Sequence, residues 1–234
     1  RVAVDNEVIH NNPMAKIKRR KPKTEKRVVP LDMVTIKKLA DGFAPRWRIT
    51  VWIGFFTGMR PSEVLGLTWD RLDFENQEIT IDRQLSRDSK KIFADHLKTS
   101  KSYRTIPFSP YLQKLLLEHR DQHGLGPHAL ILQNRSGNVW RYKDASAMFR
   151  LIARPLGFDK GEGMHQLRHT CASVLIKLGN NAKQIQEWLG HESILETMDT
   201  YGHLFPRDLH EVSDRLDAYV VGQLEIQHEQ RMLA

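Results

Sequence analysis

The sequence contains one cysteine in 234 residues, Cys171, which excludes an intramolecular disulfide and points to a reducing compartment inside a cell. It contains no apolar run approaching the roughly 18–20 residues of a membrane-spanning helix. Its amino end, RVAVDNEVIHNN, lacks the apolar core of a secretory signal, and its first residue is Arg rather than Met, which reads as a piece of something longer. No segment repeats. Acidic residues are in deficit: 28 Asp and Glu face 36 Lys and Arg, giving a net charge of +8. Such a surface attracts polyanions, nucleic acid first among them, although a basic soluble protein satisfies the same balance. The remainder is ordinary, with 40% hydrophobic and 27% charged residues, enough to bury a sizeable core.

The first 30 residues differ from the rest. NNPMAKIKRRKPKTEKRVVP is dense in lysine and arginine, broken by Pro13, Pro22 and Pro30, and carries neither a helical nor a strand period. It reads as an extended linker whose Lys16, Lys18, Arg19 and Arg20 are suited to follow a phosphate backbone, or as a solvated tail. Helical spacing begins at LDMVTIKKLADGF, and the apolar run from Ile49 to Phe56 predicts a buried helix. Pro61 suits the first turn of a short helix, PSEVLGL. Between Leu72 and Pro107 the pieces EITID, KKIF and YRTIP predict a small antiparallel sheet of about three strands. Helices resume at SPYLQKLLLEHRDQHG, with Ser109 as N-cap and Pro110 at N1, and then over 142–156, 164–178, 181–189 and a short stretch into Tyr201. HALILQ is ambiguous. Leu209, Val212, Leu216 and Tyr219 then form an apolar stripe on a terminal helix that either packs or docks on a partner.

Several residues stand out for their chemistry. In MHQLRHTCASVLIKLG, His165 and Arg168 share a helix face and His169 lies one turn from His165. A zinc reading of the two histidines fails, because Gln166 stands where the metalloprotease motif has Glu and no further ligand set is evident. In FFTGMRPSEVLGLTW, Arg60 emerges beside a glycine with Glu63 three residues on; the pair suits an aimed guanidinium or, equally, a helix-start ion pair. In HLKTSKSYRTIPF, Lys98 falls in a hairpin turn, either solvated or reaching over a ligand to deliver a proton. Lys101 and Arg104 read as DNA-backbone contacts, His169 as a helix brace, and Trp69 and Trp188 as core. The stretch SILETMDTYGHLF around Tyr201 reads as too polar for a core.

In chain order, TGMRPSEVLGL, KTSKSYRTIP, HQLRHT, WLGHES and DTYGH resemble the motifs of the tyrosine recombinase family, phage-type integrases in particular. The resemblance implies a mainly α catalytic domain with a small three-stranded antiparallel sheet. It also implies a division into a linker and remnant of a core-binding domain (1–27), the catalytic domain (28–206) and a helical tail exchanged between protomers (207–234). It implies Tyr201 as nucleophile on a DNA phosphodiester, Arg60 and Arg168 as phosphate clamps, His191 as a further phosphate donor, Lys98 as acid for the leaving 5′-oxygen, His165 as the aid to proton transfer at the tyrosine, and Glu63 as support. No cofactor and no metal are implied. The implied partners are double-stranded DNA attachment sites, three further copies in a synaptic homotetramer of otherwise monomeric protein, and an accessory DNA-bending protein, all in the cytoplasm of a bacterial host and away from membranes. Two guanidinium groups and a base near a phenol are expected to favour its phenolate. Type IB topoisomerases and telomere resolvases share this tyrosine chemistry, and the terminal apolar stripe favours a recombinase over them. A DNA-binding regulator on the same fold would have no use for the full residue set.

Overall fold

The computed structural model of the chain describes residues 28–86, 91–97, 99–124, 126–134, 136–158, 162–206 and 208–232, with side chains as far as 226. Lys16, Lys18, Arg19, Arg20 and the whole of the 1–27 linker, and also Lys98, lie outside the described residues.

The fold is built around one helix with no polar face. Helix α2 (Pro45–Thr57) follows α1 (Met33–Gly42) and buries Ile49, Val51, Ile53 and Phe55 together with Thr50 and Thr57. A helix apolar all round must be surrounded. Helices α1, α4 (Pro110–His123) and α6 (His165–Lys177) pack on it. Gly54 lets α6 approach closely, since a Cβ there would lie 2.9 Å from Leu167 Cδ1. Asp32 caps α1 by accepting from the Thr35 N–H, and Ser109 caps α4 by accepting from Leu112, with Pro110 at N1 as the sequence predicts. The short helix α3 (Pro61–Leu65) begins at Pro61, also as expected.

The sheet has three antiparallel strands in the order β1 (Leu72–Asp73), β2 (Glu78–Ile81), β3 (Arg104–Pro107). Its register sets Ile79 opposite both Leu72 and Ile106, so one face is buried. EITID and YRTIP form strands as predicted, but KKIF does not. Phe93 makes only an isolated bridge to Leu85, and Ile92 is exposed. The third strand is instead Leu72–Asp73. Asp73 Oδ1 accepts from the N–H groups of Glu75 and Asn76, turning the chain straight back so that Leu72 buries against Ile79. HALILQ resolves into single bridges, Thr68 to Leu130 and Gln133 to Val139.

After α5 (Tyr142–Ala153) and α6 come α7 (Ala182–Leu189), α8 (Ile194–Tyr201) and α9 (Leu209–Met232). Asn181 caps α7 by accepting from Lys183 and Gln184, and Gly190 ends it in the left-handed conformation at φ 68°. A second, smaller core of Ala172, Ile176, Ile185, Leu189 and Tyr201 lies between α6, α7 and α8, and Trp188 lies against both cores. Helix α9 presents its stripe to solvent: Leu209 is 78% exposed, and Val212, Leu216 and Tyr219 are exposed as well. No described helix is long and apolar enough to cross a membrane.

Two predictions follow from this packing. Gly58 ends α2 at φ 61°, and an added Cβ would meet Leu189 Cδ2 at 2.6 Å and Cys171 Sγ at 3.2 Å. Gly58→Ala therefore combines backbone strain with overpacking and should lower stability by about 2 kcal/mol or more in denaturant unfolding. His119 is buried on α4, where its Nε2 donates to the Ile131 carbonyl at 3.1 Å, and burial lowers its pKa to about 4. The unfolded chain binds this proton near the ordinary value and the native chain only near 4, so the contribution is full above about 6.5 and lost as pH falls. Urea midpoints measured between pH 7 and 4 should fall less steeply for His119→Gln than for the native chain.

Candidate active site

The carboxyl end of α7 organises the site. A helix end leaves its last carbonyls without partners and carries partial negative charge. Here three successive carbonyls each meet a different arginine. Arg104 Nε donates to Trp188 O at 2.9 Å, Arg168 Nη1 to Leu189 O at 2.8 Å, and Arg60 Nη2 to Gly190 O at 3.1 Å. The arginines come from three elements: β3, the buried face of α6, and the residue before α3. Arg168 Nη1 also donates to Gly58 O at 2.8 Å, so it joins the end of α2 to the end of α7.

One carboxylate balances the cluster. Glu63, 1% exposed, accepts from Arg60 Nη1 at 2.9 Å, from the Arg60 backbone N–H at 2.9 Å and from Arg104 Nη2 at 3.1 Å. Burial alone would raise the Glu63 carboxyl, but Arg104, Arg60 and Arg168 outweigh it and hold it below the ordinary carboxylate range. Burial and the neighbouring Arg60 lower Arg168 to about 10, which leaves it charged at neutral pH. The expectation for Arg104 needs correction. Its side chain is 7% exposed and its donors go to Glu63, Trp188 O and Ser102 O, so in this structure it braces the cluster instead of standing out on the surface. It sits at the inward register of β3, opposite the buried Ile81. Lys101 is exposed on the turn preceding that strand.

The histidines are neutral. Burial, then Arg168, lowers His165 to about 4. Burial, then Arg168 and Arg60, lowers His191 to about 3. His191 Nδ1 lies 2.8 Å from Thr197 Oγ1, so the threonine hydroxyl can donate to Nδ1 of the tautomer that carries its proton on Nε2. That Nε2 lies 3.8 Å from Glu196 Oε1.

Tyr201 is in the core after all. It is 1% exposed, belongs to the second core, and stacks its ring parallel to His191 at 6.3 Å. The polar stretch hides a one-sided helix: Thr197 and Tyr201, four residues apart on α8, are its buried residues. The hydroxyl meets His169 Nδ1 at 2.9 Å, a residue that sequence reasoning assigned to bracing the helix. The expected phenolate does not form in this state. Burial outweighs the pull of Arg168, and the phenol is pushed up to about 12.

A cavity of about 570 Å³ brings together Arg60, His165, Arg168, His169, His191 and Tyr201. Glu196 and Thr200 also line it and are not evident from the sequence; the available signal was their spacing of four residues from each other on the short helix that carries Tyr201. Arg168 uses only Nη1 on protein carbonyls, so its Nε and Nη2 have no hydrogen-bond partner among the described residues. Among the described residues no group of three or more His, Cys, Asp or Glu could hold a metal ion. The cavity can bind an anion between guanidinium groups with a phenol beside it.

Comparison with known proteins shows the family and the fold. The profile of the Phage integrase family matches residues 34–207. The ICEBs1 integrase of Bacillus subtilis is 27% identical over 225 residues, covering 92% of this chain and 61% of its own. A XerC-like tyrosine recombinase of Caldanaerobacter subterraneus is 29% identical, covering 88% and 59%. The chain thus spans about three fifths of the length of these relatives. Among solved structures, the Tn1549 transposon integrase in complex with a circular intermediate DNA superposes with a TM-score of 0.71 at 22% identity, over 92% of this chain and 74% of that one. The catalytic domain of bacteriophage HP1 integrase gives 0.56 at 23%, over 80% and 95%. The fold is that of an integrase catalytic domain, and with a family profile spanning most of its length the chain belongs to the phage integrase family, the tyrosine recombinases.

Proposed function

We propose that the chain is the catalytic portion of a site-specific DNA recombinase in which Tyr201 attacks a phosphodiester. The observation that carries this reading is the convergence of Arg60, Arg168, His165, His191 and Tyr201 on one cavity, although only His165 and Arg168 share an element. Phosphoryl transfer places negative charge on the non-bridging oxygens, and catalysis of it is mainly positioning and charge stabilisation. The Nε and Nη2 of Arg168, without a hydrogen-bond partner among the described residues, and the remaining donors of Arg60 suit those oxygens, and His191 Nε2–H adds one more donor. Attack joins Tyr201 to the 3′ side of the break and frees a 5′-hydroxyl. A 5′-hydroxyl from a second duplex then displaces the tyrosine, so the bond energy is kept without ATP.

Lys98 supplies the proton to the leaving oxygen in this reading, and the basic segment 1–27 follows the DNA backbone. The exposed stripe of α9 docks on a neighbouring protomer in the synaptic tetramer. The names of the relatives span a bacteriophage integrase, a transposon integrase and XerC-like recombinases, so the role reads more broadly than phage integration alone, as recombination at the ends of a mobile element or replicon.

Two measurements test the reading. Nicked suicide duplexes drawn from a randomised pool, incubated with the chain in a metal chelator, should yield a covalent adduct on a denaturing gel. Tyr201→Phe should abolish it with DNA affinity nearly unchanged, and an adduct persisting in that variant would remove Tyr201 as nucleophile. Lys98→Ala should slow cleavage by roughly 10²–10⁴-fold on the usual scale of general acid catalysis, and a 5′-phosphorothiolate leaving group should restore the rate. Failure to restore it would take the acid role from Lys98.

A further inference from the structure

The residue in contact with the tyrosine hydroxyl is His169. Its Nδ1 lies 2.9 Å from Tyr201 Oη, and the two rings meet edge to face at 5.8 Å and 62°. His165, to which the resemblance assigns proton transfer at the tyrosine, sits one turn earlier on α6 with its ring centre 5.8 Å from that of His169. His165 and His169 both line the cavity with Arg168, but only the His169 ring is in hydrogen-bond contact with the tyrosine hydroxyl among the described residues.

Resting on the recombinase reading above, we propose that His169 is the general base that takes the Tyr201 hydroxyl proton during attack. As the bond from Tyr201 Oη to phosphorus forms, the bond from phosphorus to the 5′-oxygen breaks. The phenolic proton moves to His169 Nδ1, and the departing oxygen takes a proton from the acid on the opposite side of the phosphorus. Charge and atoms balance, with the imidazolium returning its proton to Tyr201 when the second 5′-hydroxyl displaces it.

The surroundings explain why this transfer waits for DNA. Burial and Arg168 hold His169 below its ordinary value, so the ring is neutral and has a lone pair to offer, while burial holds the phenol high. The titratable and charged groups around the contact are His165, Arg168 and Cys171 on α6, Arg60 before α3, Tyr142 on α5, His191 after α7, and Glu196 and Tyr201 on α8. His203, on the turn after α8, is turned instead to the Val28 carbonyl at 3.4 Å. Arg168 opposes an imidazolium at His169. A phosphodiester anion seated against Arg168 offsets its field and raises the basicity of His169, so the base is armed by substrate.

The experiment uses the nicked duplex that the native chain cleaves fastest in the randomised pool, under single turnover from pH 5 to 9. His169→Asn should cut the cleavage rate by about 100-fold with unchanged DNA affinity and thermal stability. It should also erase the acid limb of the rate–pH profile, whereas His165→Asn should retain that limb. Imidazole added to His169→Ala should restore part of the rate. Without DNA, the ¹³Cζ resonance of Tyr201 should shift as His169 titrates and should not shift in His169→Asn. If the native chain forms no adduct, both the recombinase reading and this one fall. If it forms one and His169→Asn cleaves within about threefold of native, or if His165→Asn alone removes the acid limb, only the role of His169 falls.

Discussion

Three adjacent peptide carbonyls at the end of α7, each held by an arginine, are the constraint on which the site depends. Arginines side by side repel one another, and burial makes the repulsion stronger. The cluster is tolerable because a helix terminus supplies negative ends where the guanidinium groups converge and because Glu63 adds a full negative charge. Each arginine belongs to a different part of the chain, so the same bonds that gather the cations also fix β3, α3 and α6 against α7. Structural fastening and anion binding are one set of contacts.

The site divides its groups by charge. Guanidinium groups stay ionised even when buried, and Glu63 stays ionised because it is surrounded by them. Imidazoles and the phenol, whose charged forms are easier to lose, are neutral in the same environment. The cavity therefore presents fixed positive charge and keeps its mobile protons on neutral groups, the imidazoles opposed by that field and the phenol held high by burial against it.

The sequence revealed those parts of this arrangement that local chemistry determines. Pro61, Ser109 and the uninterrupted apolar run of α2 are signals confined to a few residues, and the helices they predict are present. The third strand was hidden because Leu72–Asp73 is two residues long and owes its pairing to the Asp73 turn, while KKIF had the residue types of a strand but meets Leu85 only through a single bridge at Phe93. Arg104 looked like a DNA contact since arginine in a basic hairpin usually faces solvent, and only the partners at Trp188 and Glu63, remote in sequence, show otherwise. His169 was taken for a brace because its partner lies across the space between α6 and α8. The residues that line the cavity were legible as types in order; which of them touch was decided by long-range packing.

Helix α8 has a mechanical consequence. It carries Tyr201 at its end and Thr197 one turn earlier, and Thr197 is the residue that orients His191. Tyr201 and His191, the proposed nucleophile and phosphate donor, are therefore linked through a single eight-residue helix. In that reading, a shift of the whole helix that carries the tyrosine away from a scissile bond also draws the threonine hydroxyl off the imidazole, so withdrawal would disarm the site at two points at once.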